Sequence, residues 1–305
     1  MTRDGLPLVV CAGLSCVDHI WQVGSFPPAA SRTDASGYRL QGGGPAATAA
    51  VTVARLGGRA HLWAVHGDDP GGAFVVDELK RLGVETGGVR VVPGATSWVS
   101  AVLVAPDGER WIFPYRGAGL PDNAPSERPA DAGALLVDFR QPRLCREAID
   151  WAAGRGVPIV GDLGNARYWE SSERLDVIIA SEECAEEVLG RDDPEAALAA
   201  MRWRPDQHVG VTLGAEGYLY DAGQGVRHLP ALPVTVVDTT GAGDVFHGAY
   251  AFALASGWDA DRCAAFASVT AAISCTGVGR SAIPDGATVE RLLEERSLGE
   301  LREGA

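Results

Sequence analysis

Six cysteines are spread through the 305 residues, and none stands in a C-x-x-C pair or at metal-finger spacing. That excludes a disulfide framework and a zinc module, and Cys11, Cys16, Cys145, Cys184, Cys263 and Cys275 read as buried free thiols in a reducing environment. Positive charge is also scarce: 26 Lys and Arg against 40 Asp and Glu leave a net charge of -14. A polyanion or an anionic membrane surface would be repelled, so neither nucleic acid nor membrane is expected as a partner. Long apolar runs are missing too. The first, Leu6 to Leu14, follows Asp4 without a basic cluster and is far too short to span a bilayer, which points to a cytoplasmic protein. Repeats, low-complexity tracts and long linkers are absent, and the stretch Asn123 to Ala132 reads as a loop. What remains is a chain of 46% hydrophobic composition, long enough to bury a large α/β core.

Apolar Leu8 to Leu14 predicts a central strand of a parallel sheet covered on both faces. The run Gln41-Gly42-Gly43-Gly44-Pro45-Ala46-Ala47-Thr48 predicts a glycine turn with proline at the first helical position, and Gly57-Gly58 ends that helix. Phe74, Val75, Leu79 and Leu82 predict a second helix. Trp98 to Val104 and Arg110 to Tyr115 are rich in β-formers and flank Pro106-Asp107-Gly108, a hairpin signal. With Asp18 to Leu40 they are expected to form a small sheet projecting from the body as a lid, over segments of approximately 18–41 and 96–117. From Leu135 to Ala180 strands alternate with helices, and the C-terminal part reads as mostly helical.

The most informative segment is Asp238-Thr239-Thr240-Gly241-Ala242-Gly243-Asp244, which follows an expected strand Val234 to Val237 and opens a helix at about Ala242. A helix start leaves backbone N–H groups unpaired, and glycines let an anion approach them closely. Phosphoryl transfer needs such donors because charge spreads over the transferring oxygens. Asp244, in the first turn, is placed to accept a proton from an attacking hydroxyl; the alternative is an acid that merely complements the helix dipole.

Taken together, Val237 to Gly248, the early Asp18, the Gly42 to Gly44 cluster, the hairpin and Thr212-Leu213-Gly214-Ala215-Glu216-Gly217 resemble the ribokinase family, also called the PfkB sugar kinases. The resemblance spans nearly the whole chain. It implies a single ribokinase-like three-layer α/β domain over 1–305, with a central mostly parallel sheet and a small β-sheet lid. It implies an anion hole at Gly241, Ala242 and Gly243, a base at Asp244, and sugar contacts from Asp18, Gly43 and Gly44. Thr212, Gly214 and Gly217 match its nucleotide-side loop, which Gly241 and Gly243 complete. Mg-ATP is implied as phosphoryl donor, Asp238 matches a position associated with a monovalent cation, K+ by that reading, and a homodimer through the lid is expected. The family's Asn-x-x-Glu motif is replaced by Ser181 and Cys184, which leaves the magnesium ligands open among Glu182, Glu183, Glu186 and Glu187.

Gly42 to Ala50, Phe246-His247-Gly248 and Gly279-Arg280-Ser281-Ala282-Ile283-Pro284-Asp285 resemble the sulfofructose kinase branch, which implies transfer to the 1-hydroxyl of 6-deoxy-6-sulfofructose. A sulfonate needs cationic donors at the far end of the sugar. Arg32 in the lid, Arg116 after the hairpin and Arg140 at the end of the Leu135 to Phe139 strand are the candidates, Arg140 first, because ligands of open α/β sheets bind at strand carboxyl ends. The same arginines suit a phosphate-bearing ketose such as fructose 6-phosphate, and Pro114 replaces an asparagine of the branch pattern. A nucleoside kinase, or a sugar sensor without catalysis, are the competing readings. His247, one turn after Asp244, reads as a packing residue.

Overall fold

The computed structural model describes residues 5–26, 32–106, 110–125 and 127–303, with 296–303 as backbone only. In chain order the elements are β1 (Leu8–Ala12), β2 (Cys16–Gln22), β3 (Gly37–Gly43), α1 (Pro45–Arg55), β4 (Arg59–Gly67), α2 (Pro70–Arg81), β5 (Val89–Val92), β6 (Val99–Val104) and β7 (Arg110–Tyr115). There follow β8 (Ala134–Val137), α3 (Pro142–Ala153), β9 (Ile159–Leu163), β10 (Val177–Ser181), α4 (Glu182–Leu189), α5 (Pro194–Met201) and β11 (His208–Thr212). The chain closes with β12 (Tyr218–Asp221), β13 (Val226–Leu229), α6 (Ala242–Ala255), α7 (Ala260–Ser274) and α8 (Gly286–Glu303).

Every residue of β1 is buried, because the strand is covered on both faces. Alternation along the strand sorts its side chains: Val9 and Cys11 join the core built with α1, α6 and α7, while Val10 and Ala12 join the core built with α3, α4 and α5. Each large apolar side chain buried this way contributes about 1.5–3 kcal/mol. The result is a three-layer sandwich around a nine-stranded sheet of order β13-β12-β11-β10-β9-β8-β1-β4-β5. Strands β11 through β5 in that order run parallel, and only β12 runs against them, pairing antiparallel with both β11 and β13. The carboxyl ends of β1, β8, β9, β10 and β11 therefore share one edge.

The second sheet has four strands in the order β3-β2-β6-β7. It combines the two segments expected to form the lid; Asp107 and Gly108 of the expected turn lie outside the described residues. Paired residues share a face, so Asp18, Ile20, Arg39, Gln41, Val102 and Arg110 point one way, and His19, Trp21, Tyr38, Leu40, Leu103 and Phe113 the other.

One expected element is corrected. Val234 to Val237 is not a strand. The sheet ends at β13, and this segment leaves it: the Val237 and Asp238 N–H groups donate to the carbonyl of Cys275 at 2.8 and 3.2 Å, at the end of α7. Val236 and Val237 are each 58% exposed, since no second layer covers them. A short valine run reads as a strand from the sequence, but its backbone partner here is a helix terminus.

Candidate active site

The site is assembled where the carboxyl ends of β8 and β9 meet the N-termini of α1 and α6. Asp138 follows the wholly buried β8 and is itself 2% exposed. Its carboxylate accepts the N–H groups of Leu14 at 2.7 Å, Arg140 at 2.9 Å and Ala46 at 3.1 Å, which fastens the start of α1 to β1 and β8. Burial, with the nearby charge of Asp162, pushes its acid up to about 6 in spite of those bonds. Gly44 precedes α1 with φ +93°, and a Cβ there would lie 2.4 Å from the carbonyl oxygen of Leu14, so only glycine can make this turn. Pro45 then occupies the first helical position.

This turn brings Gly42 and Gly43 against Asp18. A Cβ on Gly43 would stand 1.9 Å from Asp18 Oδ2. The carboxyl of Asp18 accepts a weak bond from the thiol of Cys16 at 3.4 Å, and burial raises its pKa, partly offset by Cys16, Ser100 and Arg280. Asp18, Gly42 to Gly44, Gly241, Asp244, Thr48 and Arg280 line one cavity. The structure thus brings Asp18, Gly43 and Gly44 together with Asp244.

Helix α6 starts at the predicted point. Gly241 caps it at φ +77°, and Asp244 falls in its first turn. Ala242 N–H donates to Thr239 O at 3.2 Å, whereas the N–H groups of Gly241 and Gly243 have no acceptor among the described residues. A Cβ added to Gly243 would meet no atom within 4 Å, so open space faces this residue. Unpaired donors beside open space at a helix start are what an incoming phosphoryl group requires. Burial pushes Asp244 up to about 8, with the charges of Asp162 and Asp138 adding to it and those of Arg280 and Arg140 opposing it. A base tuned to near-neutral pH takes a proton more readily than an ordinary carboxylate. His247 is buried and binds Gly243 O at 2.6 Å and Ile179 O at 3.2 Å, tying the turn to β10 as a packing residue.

Several predicted roles are redistributed. Asp238 faces donors: Thr240 N–H at 2.9 Å, Gly279 N–H at 3.4 Å and the Arg39 guanidinium at 3.6 Å. These contacts shape the turn before α6 and leave carboxylate lone pairs free. Arg32 is exposed, Arg116 lies over Trp98 at 5.8 Å, and neither lines the cavity shared by Asp18 and Asp244. The small sheet instead delivers Arg39 and Arg110, which line a cavity of about 580 Å³ with Asp238 and Thr240; Arg110 Nη1 donates to Thr240 Oγ1 at 2.7 Å. Arg140 remains near Asp244. Its backbone, not its side chain, engages Asp138. Ser181 caps α4 by accepting the Cys184 N–H at 3.2 Å, Cys184 is buried, and Glu182, Glu183 and Glu186 are exposed, while Glu187, also exposed, accepts the Ala166 N–H at 3.3 Å.

Thr212 ends β11 in register with Ser181, on the same sheet edge as Asp138 and Asp162. Gly214 opens a single 3-10 turn, and Gly217 closes it at φ +105°, where a Cβ would meet Leu229 O at 2.1 Å. Three strand spacings separate β11 from β8, roughly 14 Å, a span that an extended nucleotide can cross.

Sequence reasoning missed Asp138, Asp162, Glu78 and the inward position of Arg280. An acid closing the apolar run Leu135-Leu136-Val137 was a readable signal for Asp138, since a strand end in such a sheet is where ligands bind. Among the described residues no three His, Cys, Asp or Glu side chains converge as a metal cage. Mg2+ carried by a nucleotide keeps its waters and takes one or two carboxylates besides phosphate oxygens. Asp162, 3.7 Å from His247 Nε2 and close to Asp244, is a carboxylate that could hold such an ion. No helix of the described residues is long and apolar enough to cross a membrane.

Comparison with known proteins gives the same picture. The model of the pfkB family carbohydrate kinases matches residues 6–285. The ribokinase of Bacillus subtilis is 28% identical over 295 residues, covering 93% of this chain and 99% of the relative. Fructokinase-1 of Oryza sativa is 31% identical over 266 residues, 79% of this chain and 81% of the relative. A solved structure from Agrobacterium tumefaciens, of a protein assigned to the ribokinases, superposes with a TM-score of 0.88 at 30% identity, covering 95% of this chain and 98% of that one. The chain belongs to the pfkB family of carbohydrate kinases, ATP-dependent phosphotransferases that take an alcohol group as acceptor.

Proposed function

We propose that this kinase phosphorylates a hydroxyl of a ketose, with the 1-hydroxyl of 6-deoxy-6-sulfofructose as the specific candidate. The observation that carries the reading is the shared cavity of Asp18, Gly43 and Asp244 at the start of α6. Asp18 accepts hydrogen bonds from sugar hydroxyls, and the Gly42 to Gly44 turn lets the ring approach the backbone. Asp244 takes the proton of the attacking hydroxyl, while the Gly241 and Gly243 N–H groups meet the oxygens of the transferring phosphoryl. ATP lies along the sheet edge toward Thr212, Gly214 and Gly217. Asp162 would hold a nucleotide-borne magnesium ion, which would neutralise phosphate charge. The small sheet covers the site and excludes water that would otherwise accept the phosphoryl group.

Support for the sulfonate rests on the branch resemblance of Gly42 to Ala50 and Gly279 to Asp285, whereas Arg140 lies near Asp244, the reacting end of the sugar. A neutral pentose or hexose is the second reading, favoured by the displacement of Arg32 and Arg116 from the cavity and by the ribokinase and fructokinase relatives. ADP release measured with 6-deoxy-6-sulfofructose, fructose, fructose 6-phosphate, tagatose 6-phosphate, ribose and a nucleoside separates them. The sulfo-sugar is expected to give the highest kcat/KM. A higher value for fructose or ribose assigns the neutral-sugar reading, and turnover with the nucleoside alone removes both.

The outward face of the small sheet supports a homodimer. Trp21 and Tyr38 rings lie 5.4 Å apart there, beside exposed Leu40, Phe113 and Tyr115. Such an apolar face is stabilised by a second copy of itself. Light scattering is expected to give a dimer, and Leu40→Asp with Phe113→Asp a monomer. A wild-type monomer at micromolar concentration would remove the proposal.

A further inference from the structure

The sugar cavity holds two carboxylates, Asp18 and Asp244, and Arg280 is the one cation among the described residues that line it. Arg280 is only 9% exposed. Its Nε and Nη2 donate to Thr48 Oγ1 at 3.3 and 3.1 Å, and Nη1 donates to Glu78 Oε2 at 3.2 Å. The same Glu78 oxygen accepts the Gly42 N–H at 2.9 Å. The guanidinium is therefore held from α1 and α2 against the backbone of the sugar turn, where a Cβ on Gly42 would stand 2.6 Å from Nη1.

Guanidinium has five N–H donors, and the three bonds to Thr48 and Glu78 leave two unspent. A sugar hydroxyl needs an acceptor for its hydrogen and a donor for its oxygen. Carboxylates supply only the first. We propose that Arg280 is a specificity-determining residue of the sugar site, the donor that pairs with the acceptor Asp18 to read a ring hydroxyl of the substrate. The ligand class this pairing selects is a polyol with adjacent free hydroxyls. A substrate carrying its anion at this end would meet Asp18, Asp244 and Glu78 against one guanidinium, so the anion of a sulfo- or phosphosugar belongs at the opposite end. The inference rests on the proposed role of the cavity as a sugar site, and not on Asp244 being the base.

A buried Arg–Glu pair adds little net stability, and removal of one partner leaves the other charge uncompensated. The informative variants are accordingly Arg280→Lys and the double change Glu78→Gln with Arg280→Met, whose folding is checked by thermal melting. Sugar binding is measured by calorimetry without ATP, using D-fructose, its 3-deoxy and 4-deoxy analogues, and 6-deoxy-6-sulfofructose. Loss of the donor is expected to weaken binding of the parent sugars at least tenfold, with Arg280→Lys recovering part of it and the KM for ATP within twofold of wild type. One deoxy analogue, lacking the hydroxyl that Arg280 reads, is expected to lose no further affinity. Equal losses for every sugar and for ATP, or unchanged sugar affinity in a folded double variant, would overturn the proposal. Failure of the wild type to bind any of these sugars refutes the sugar-site reading itself, whereas an active Asp244→Asn refutes only the base.

Discussion

Asp244→Asn is expected to lower kcat by about 10²–10⁴-fold, the range for losing a positioned general base, while sugar affinity changes little. The amide keeps the shape of the carboxylate but cannot take the hydroxyl proton. In the wild type, kcat/KM for the sugar should rise with pH through about 8, where burial and the charges of Asp162 and Asp138 hold this acid. That limb should vanish in the variant. Stability should move the other way. The folded-state pKa lies above the ordinary value of 3.8, so the contribution of Asp244 to stability is fully present below that value. It is lost as pH rises through about 8, because the fold must then hold a buried negative charge. Asp244→Asn should thus melt at nearly the same temperature as the wild type at pH 4 and roughly 2–6 °C higher at pH 9. Turnover within fivefold of wild type, or a melting difference that shrinks with rising pH, would sink the assignment.

Gly43→Ala should raise the KM for the sugar by about 10–150-fold, the loss of one charge-assisted hydrogen bond worth ~1.5–3 kcal/mol. The added methyl would lie 1.9 Å from Asp18 Oδ2, and Asp18 belongs to a strand paired through its whole length with β3. The backbone cannot retreat, so the carboxylate must swing out of the cavity. The KM for ATP should stay within a factor of two. Gly243→Ala is the contrasting control: its methyl meets no protein atom within 4 Å and occupies the space facing the unpaired N–H groups, so it should depress kcat and ATP binding and leave sugar affinity intact. If Gly43→Ala changed the ATP constant instead, the two glycine turns would have exchanged roles.

Much of the architecture is legible in the sequence because its signals are local. Unbroken apolar runs such as Leu8 to Ala12 mark doubly covered strands, glycine before proline at 44 and 45 marks a helix start, and Asp238 to Asp244 marks the glycine turn that opens α6. These depend on backbone geometry that a few neighbouring residues dictate. The segment Val234 to Val237 misleads for the same reason in reverse: its valines favour a strand, but the partner of its backbone, the carbonyl of Cys275, lies far along the chain.

Charge follows neither propensity nor period. The place of an arginine in the sequence says little about its partner, because which of twenty-six cations meets which of forty acids depends on helices and sheets arriving from distant segments. The small sheet turns Arg39 and Arg110 inward and leaves Arg32 exposed; the segment after α7 brings Arg280 to Glu78, 202 positions away. The sequence alone determined the layered fold, the glycine turn before α6 and the place of Asp244 in its first turn. Only the tertiary structure decided which acids tune Asp244 and which guanidinium shares its cavity, because Coulomb forces act through space between groups that the chain keeps apart.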